Sequence, residues 1–259
     1  MSDAVSQPFV SSFESVGWAN DAIAEIHAEA TAFFQSDIQA IITEVDLNTG
    51  EHVQKIRLTK PLPKAIRRKA TEALNNARHA FDRATFAARN LTSGPSMKSI
   101  YYPWSKNPAD LNHILKSRSI DQRLWDTFKA HEPYPRGDTY AGGNNVIRTL
   151  AAMANDKHTV GLTIGAQITK TIYPAIIGHT MHSIKIMNPR WDSVKNEAEL
   201  ARWIGGVEVN GDYRFAFQVL FKDARLTEPV DVVRGLRAFT AKAQAVAESL
   251  QTRCAELSL

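Results

Sequence analysis

The apolar pattern of the chain changes its period near residue 158, and this change constrains the fold more than any other feature. Before it, residues 145–156 place apolar side chains at helical spacing. After it, residues 160–169 alternate between apolar positions and small or polar ones, which is the pattern of a strand with one buried face. The chain must therefore combine helices with a sheet.

The helical and strand patterns fall in separate blocks. Apolar periodicity predicts helices over residues 15–36, 64–91 and 145–156, and a final helix that Thr227 can cap. Alternating runs predict two β-hairpins, over residues 38–58 and 203–221. We therefore predict an α+β fold with helices packed on a mainly antiparallel sheet. Its N-terminal half is mostly helical, and its C-terminal half is β-rich with a final helix.

The size and composition are those of an ordinary globular protein. With 259 residues and 44% hydrophobic content, the chain can bury a full core. We predict a single α+β domain over residues 1–259. Lobes within it would be a helical part with a hairpin, residues 1–157, and a β-rich part with the final helix, residues 158–259.

Three features bear on location. No apolar run approaches the roughly 18 residues that a membrane-spanning helix needs. The first residues lack the basic start and apolar block of a signal peptide. Cys254 is the only cysteine, which suits a reducing compartment. We expect a cytoplasmic protein that does not associate with membranes.

Charge is strongly segregated, although the formal net charge is only +4. Residues 1–54 contain nine Asp or Glu and no Lys or Arg, whereas residues 55–90 contain ten Lys or Arg against Glu72 and Asp82. One interpretation is that the acidic segment packs beside the basic helix. We favour it because the basic residues are spread over several elements. The other is a basic face that binds nucleic acid or another polyanion.

The run Gly142-Gly143-Asn144-Asn145 opens the helix predicted over residues 145–156. Exposed N–H groups at a helix start can bind an anion, and the glycines would let a phosphate or carboxylate approach the backbone. Alternatively, Asn144 or Asn145 simply caps the helix after a flexible loop, which is the interpretation we favour. No G-x-x-x-x-G-K-[ST] sequence occurs, which argues against a nucleoside-triphosphate P-loop.

The other end of the same helix carries Asp156, Lys157 and His158. A structural role is sufficient to explain them, because Lys and His near a helix C-terminus interact favourably with the helix dipole. In the catalytic interpretation, Asp156 orients His158 and Lys157 holds an anionic group. These three residues are the candidates for catalysis, and the structural role is the favoured one.

Arg78 and Asp82 are spaced i, i+4 on the helix predicted over residues 64–91. An exposed pair at this spacing contributes only ~0.3–0.5 kcal/mol. Alternatively, the pair lies where this helix meets the 156–158 segment, and a buried polar cluster there would bind a ligand or fix the packing. The two interpretations carry equal weight.

Metal and cofactor sites receive little support. His179 and His182 fall three residues apart in a predicted strand, so their side chains would point to opposite faces. The chain has no H-E-x-x-H sequence and no set of cysteine ligands. We predict no metal and no cofactor.

Four short motifs resemble those of a family of uncharacterised bacterial proteins. Ala77-Arg78-His79-Ala80-Phe81-Asp82 resembles its R-x-x-[LF]-D helix, and Asp156-Lys157-His158 its D-K-H helix end. Between them, Tyr102-Pro103 and Glu132-Pro133-Tyr134 match in order and spacing. Thr159 stands where the family often has arginine. The resemblance covers roughly residues 60–165, implies a bacterial protein, and carries no established activity.

Two functions remain. The favoured one is a non-catalytic binding or interaction protein that recognises an anionic small molecule or nucleic acid, since no complete catalytic constellation is visible. Its ligand residues would be Arg78, Asp82 and the 142–145 run. The alternative is a hydrolase that uses the Asp/His/Lys group, with the 142–145 run as an anion cradle. The sequence also allows a homodimer.

Overall fold

The computed structural model describes residues 7–95, 100–156, 162–174, 176–177, 184–205, 208–209, 212–226 and 228–257. The α-helices of this part are α1 (Val10–Gln35), α2 (Lys64–Ser93), α3 (Pro108–Ser117), α4 (Trp125–Ala130), α5 (Asn145–Asp156) and α6 (Val232–Glu256). The strands are β1 (Gln39–Val45), β2 (His52–Leu58), β3 (Ile164–Ile172), β4 (Ile176–Ile177), β5 (Lys185–Ile186), β6 (Glu197–Trp203), β7 (Glu208–Val209), β8 (Arg214–Phe221) and β9 (Val230–Asp231). The α+β class, with a helical N-terminal half and a β-rich C-terminal half before a last helix, is confirmed.

The described residues form two compact units, each assembled from segments that are distant in sequence. The helical unit takes residues 1–27, 67–163 and 223–259, and the strand-rich unit takes residues 28–66 and 164–222. The final helix thus belongs with the earlier helices, and the first hairpin with the later strands. The predicted lobe boundary after residue 157 falls among residues outside the described part. That the whole chain is one domain stays a prediction.

Helix α2 forms a central part of the helical unit, because small residues line one side of it. The small ones that are fully buried are Ala70, Ala73, Ala77, Ala80, Ala84 and Ala88, and the larger Leu74 and Phe81 are fully buried among them. Short side chains let neighbouring elements approach closely, and Phe81 fills the remaining space with Tyr102, Trp104 and Phe239. The result is an aromatic cluster that fixes the extended segment after Ile100 against α2.

The strand-rich unit contains a four-stranded antiparallel sheet in the order β1-β2-β6-β5. The first hairpin is confirmed: β1 pairs with β2 from Gln39 opposite Leu58 to Val45 opposite His52. One face of this sheet contributes Ile56, Ala198 and Leu200 to a hydrophobic cluster with Ile168 of β3. Aromatic residues of β8 complete that cluster.

The second predicted hairpin, over residues 203–221, is wrong. Its second strand, β8, pairs with β3, and the described strand within its first part, β7, pairs with β4. Strand β6, which ends at Trp203, pairs with β2, and Glu197 of β6 accepts hydrogen bonds from Lys55 and Arg57 of that strand. The alternation of β8 matches that of β3, where Phe217 faces Ile168. The two predicted strands therefore pair with partners far away in sequence, and the predicted turn residues Asn210 and Gly211 lie outside the described part.

The start of the last helix also needs correction. Asp231, not Thr227, is its cap, since the Asp231 carboxylate accepts a hydrogen bond of 2.7 Å from the Arg234 amide. Thr227 itself lies outside the described residues. None of the helices in the described part combines the length and hydropathy that a bilayer span requires.

Candidate functional site

The start of α5 is capped and its glycine loop is closed by the chain itself. The Asn144 side-chain oxygen accepts a hydrogen bond of 3.0 Å from the Ile147 amide, which confirms the capping interpretation. The Gly143 amide donates to the Glu132 carboxylate at 2.9 Å. A Cβ on Gly142 would overlap the same carboxylate, and one on Gly143 would overlap the Pro135 carbonyl. The anion that this loop contacts is therefore the carboxylate of Glu132, from the same chain.

Both glycines also need their residue type for backbone reasons. Gly142 has φ +83° and Gly143 has φ +85°, in the left-handed region that side chains disfavour. Gly142 and Gly143, both predicted as ligand residues, thus shape the loop before α5. They bring their neighbour Asn145 to the first turn of the helix, where its side chain becomes available to a ligand.

Of the three catalytic candidates, Asp156 lies within the described residues, at the last position of α5. Its carboxylate is about half exposed and accepts a short hydrogen bond from the Arg225 guanidinium. Lys157 and His158 lie outside the described residues. Their pairing with Asp156 stays a prediction.

Arg78 and Asp82 form the ion pair that their spacing predicts. The Arg78 Nε and Asp82 Oδ2 atoms are 3.3 Å apart, and the two side chains are only 12% and 16% exposed. Asp82 Oδ1 accepts a hydrogen bond of 2.8 Å from the Tyr102 amide. Arg78 Nη1 also reaches the Ala151 carbonyl of α5 at 3.5 Å. The pair therefore braces α2 against the Tyr102 segment and touches α5 through its backbone.

The indole of Trp104 lies beside two guanidinium groups. The Cζ atom of Arg78 is 5.5 Å from the ring centroid, and that of Arg148 is 5.9 Å from it. Arg148 donates a hydrogen bond from Nε to the Ser105 carbonyl at 3.3 Å. No carboxylate in the described part of the chain pairs with Arg148. Two like charges thus share one aromatic ring, stabilised by cation–π attraction.

A basic pocket of about 370 Å³ opens beside Arg148. We define it by its lining residues Ser105, Lys106, Pro135, Asn145, Arg148, Thr149, Ala152 and Arg225. Three of them are cationic, and no carboxylate of the described residues lines it. Asn145 presents its amide hydrogens, because its Oδ1 atom already accepts the Arg136 amide at 2.8 Å. The pocket is therefore a concentration of hydrogen-bond donors.

The cations of this pocket differ in their surroundings. Burial, and secondly the charge of Arg78, lower the pKa of Arg148. Arg225 donates hydrogen bonds to the carboxylate of Asp223 and, with a smaller effect, to that of Asp156; these outweigh burial and raise the pKa of Arg225. An anion placed in the pocket would relieve the unfavourable environment of Arg148, whereas Arg225 is already neutralised. Arg148 is thus the cation that gains most from a ligand.

Sequence reasoning missed Lys106, Arg148, Thr149 and Arg225. One signal was present, since Asn145, Arg148, Thr149 and Ala152 follow i, i+3, i+4, i+7 spacing and therefore share a face of α5. Lys106 and Arg225 have no such signal, because only tertiary packing brings them to that face. Within the described residues, no group of three or more His, Cys, Asp or Glu is placed to hold a metal ion. His179 and His182 lie outside that part.

Comparisons of this chain with protein-family models, with curated proteins and with solved structures find no match. The resemblance of its motifs to a bacterial family therefore stays a prediction.

Proposed function

We propose that this chain is a binding protein for a small anionic ligand, held by a phosphate group in the basic pocket. The observation that carries the proposal is an excess of unpaired cations in that pocket. Lys106 and Arg148 line it without a salt-bridge partner among the described residues, whereas Arg225, the third lining cation, is paired with Asp156 and Asp223. A phosphate offers three acceptor oxygens to such donors, and charge-assisted hydrogen bonds are the strong ones.

The position and size of the pocket support a small ligand. Asn145 and Thr149 lie in the first two turns of α5, where the helix dipole favours negative charge. A volume of about 370 Å³ is at the low end of the range typical for small-molecule sites. A long nucleic acid would instead be recognised by a basic surface that follows its backbone.

The experiment is calorimetric titration of the full chain with inorganic phosphate, at constant ionic strength set by chloride. We expect saturable binding that Arg148→Gln weakens by about tenfold or more, which is typical for loss of one charge-assisted hydrogen bond. Lys106→Gln should weaken it less, because this exposed lysine can rearrange. Lys106→Gln also leaves the packing around Trp104 untouched, so it reports on the pocket if Arg148→Gln fails to fold.

Arg68→Gln is the matched control, since Arg68 is an exposed arginine of α2 outside the pocket and its substitution removes the same charge. It should bind phosphate as the parent protein does. Equal weakening by Arg68→Gln and Arg148→Gln would mean that only the overall charge matters. Absence of saturable phosphate binding together with tight, salt-dependent binding of duplex DNA would replace the proposal with the nucleic-acid alternative.

The hydrolase alternative stays a prediction. Of its three residues only Asp156 is described, and Arg225 neutralises that carboxylate. No feature of the basic pocket calls for a catalytic step, so binding is the function we put forward.

A further inference from the structure

A second cavity, which we call the α2 cleft, lies along the last turns of α2. Its volume is about 570 Å³. Phe86, Leu91 and Ile100 give it an apolar wall, and Tyr101 lies at its edge with 54% of its surface exposed. Phe86 is 38% exposed, although its neighbours along α2 are buried. The volume and the apolar wall are those of a site for a small molecule.

The polar side of the α2 cleft is made of donors. Arg83 uses Nη1 for the Ser11 carbonyl at 3.0 Å and the Ser15 hydroxyl at 2.7 Å, and its Nε and Nη2 atoms have no hydrogen-bond partner among the described residues. Asn90 accepts a hydrogen bond from Arg89 through Oδ1 at 3.4 Å, which leaves its amide hydrogens for the cleft. A guanidinium and a primary amide therefore lie in the lining of one cavity.

The carboxylate that lines the cleft does not cancel these donors. Asp82 is engaged on both oxygens, by Arg78 and by the Tyr102 amide. Its charge is balanced by Arg78, whereas no carboxylate of the described residues pairs with Arg83. The local excess is thus positive, as it is in the basic pocket, but here it adjoins an apolar wall.

From this combination we infer that the α2 cleft binds a small amphipathic carboxylate, with its apolar body against Phe86, Leu91 and Ile100 and its carboxylate on Arg83 and Asn90. The chemical class is a medium-chain alkyl carboxylate. Burial of the alkyl chain supplies affinity, and the donors supply orientation. This site is independent of the phosphate site proposed above.

The test is titration of the full chain with octanoate and, in parallel, with octan-1-ol. Octanoate should bind saturably and at least about tenfold more tightly than the alcohol, because only octanoate uses the charged donors. Asn90→Asp is the decisive variant. It keeps the shape of the side chain and strengthens its contact with Arg89, but it places a negative charge beside the ligand. We expect it to fold normally and to lose octanoate binding by about tenfold or more, while octan-1-ol binding is unchanged.

Asn20→Asp, on an exposed position of α1, is the matched control and should bind octanoate as the parent does. Arg148→Gln should also bind octanoate normally, since Arg148 belongs to the other pocket. Equal affinity for octanoate and octan-1-ol, or undiminished octanoate binding by Asn90→Asp, would overturn the inference. So would loss of octanoate binding in Arg148→Gln, because the carboxylate would then occupy the basic pocket.

Discussion

The strand-rich unit and the helical unit differ in how their charged side chains are paired. On the four-stranded sheet, Glu44 and Glu197 each contact both Lys55 and Arg57, so two acids and two bases form a closed ring. Each charged group there has two partners of opposite sign. The ring spans β1, β2 and β6, and therefore fixes the register of three neighbouring strands.

Around Trp104 in the helical unit, cations outnumber carboxylates. Arg78, Arg118 and Arg148 gather there, and Asp82 is the carboxylate that balances them among the described residues. Burial, only partly offset by Asp82 and reinforced by Arg78, lowers the pKa of Arg118. The charges of the ring balance one another, whereas the arginine group carries an excess of positive charge that an external anion would balance.

The largest effect should come from breaking the ring at Glu197. Its side chain is 6% exposed and holds Lys55, itself 14% exposed, and Arg57. Glu197→Gln leaves a largely buried lysine with one partner, so we expect the free energy of unfolding to fall by about 3 kcal/mol. This is the low end for buried pairs, because Arg57 is 41% exposed and partly solvated. Urea denaturation measures the change.

Glu44→Gln provides the control for this loss, since Glu44 contacts the same two cations but is 48% exposed. It should cost less than about 1 kcal/mol. A similar loss for both variants would show that burial does not distinguish them, and the contrast between a braced sheet and an open arginine group would weaken.

A somewhat smaller change in the free energy of unfolding should come from pH, and the helical unit should respond at a higher pH than the sheet does. Burial, reinforced by the charge of Lys242, lowers the pKa of His131 in the helical unit from 6.5 to about 4. Folding therefore favours the neutral ring: its stabilisation is complete above pH 6.5 and is lost as the pH falls toward 4. Between about pH 7.5 and pH 5, the free energy of unfolding should drop by about 2 kcal/mol from this group.

The sheet ring should respond only at lower pH. Burial raises the pKa of Glu197, but the hydrogen bonds and charges of Arg57 and Lys55 outweigh it and hold the pKa below 4.5. A carboxylate with a lowered pKa stabilises the fold above its unfolded value and loses that contribution in acid. His131→Gln should therefore flatten the pH dependence between about pH 7.5 and pH 5, whereas His113→Gln, on the exposed side of α3, should not. An unchanged slope in His131→Gln would contradict the assignment.

Local sequence patterns predicted helices α2 and α5, which carry Arg78 and Arg148. The boundaries of α5, residues 145–156, were predicted from a capping asparagine and helical periodicity, and α2 was predicted to within two residues. Strand pairing was less accessible, because an Asn-Gly-Asp sequence near residue 211 indicated a hairpin that β7 and β8 do not form. Pairing depends on side chains that meet across the sheet, and these are distant in sequence.

The candidate site shows the same limit. Arg78 and Asp82 were predicted to pair because four residues along a helix bring them together, and they do. Anion binding by the glycine loop was the less favoured interpretation, and nothing in the sequence identified Glu132 as the carboxylate that the Gly143 amide contacts. Lys106 and Arg225 reach the basic pocket from segments more than 100 residues apart, so their convergence follows only from the tertiary fold.

The smallest effect on stability should come from substituting Arg148, in contrast to the large effect of substituting Glu197. Arg148→Gln removes a cation–π contact with Trp104 and one hydrogen bond of 3.3 Å, which would cost about 1 kcal/mol. It also removes repulsion from Arg78 and the cost of burying an unpaired charge, which offsets that loss. We expect the free energy of unfolding in urea to change by less than about 0.5 kcal/mol, against about 3 kcal/mol for Glu197→Gln. A fall of 2 kcal/mol or more in the free energy of unfolding of Arg148→Gln would mean that this arginine stabilises the fold as Glu197 does. That result would contradict the proposal that Arg148 serves to bind a ligand.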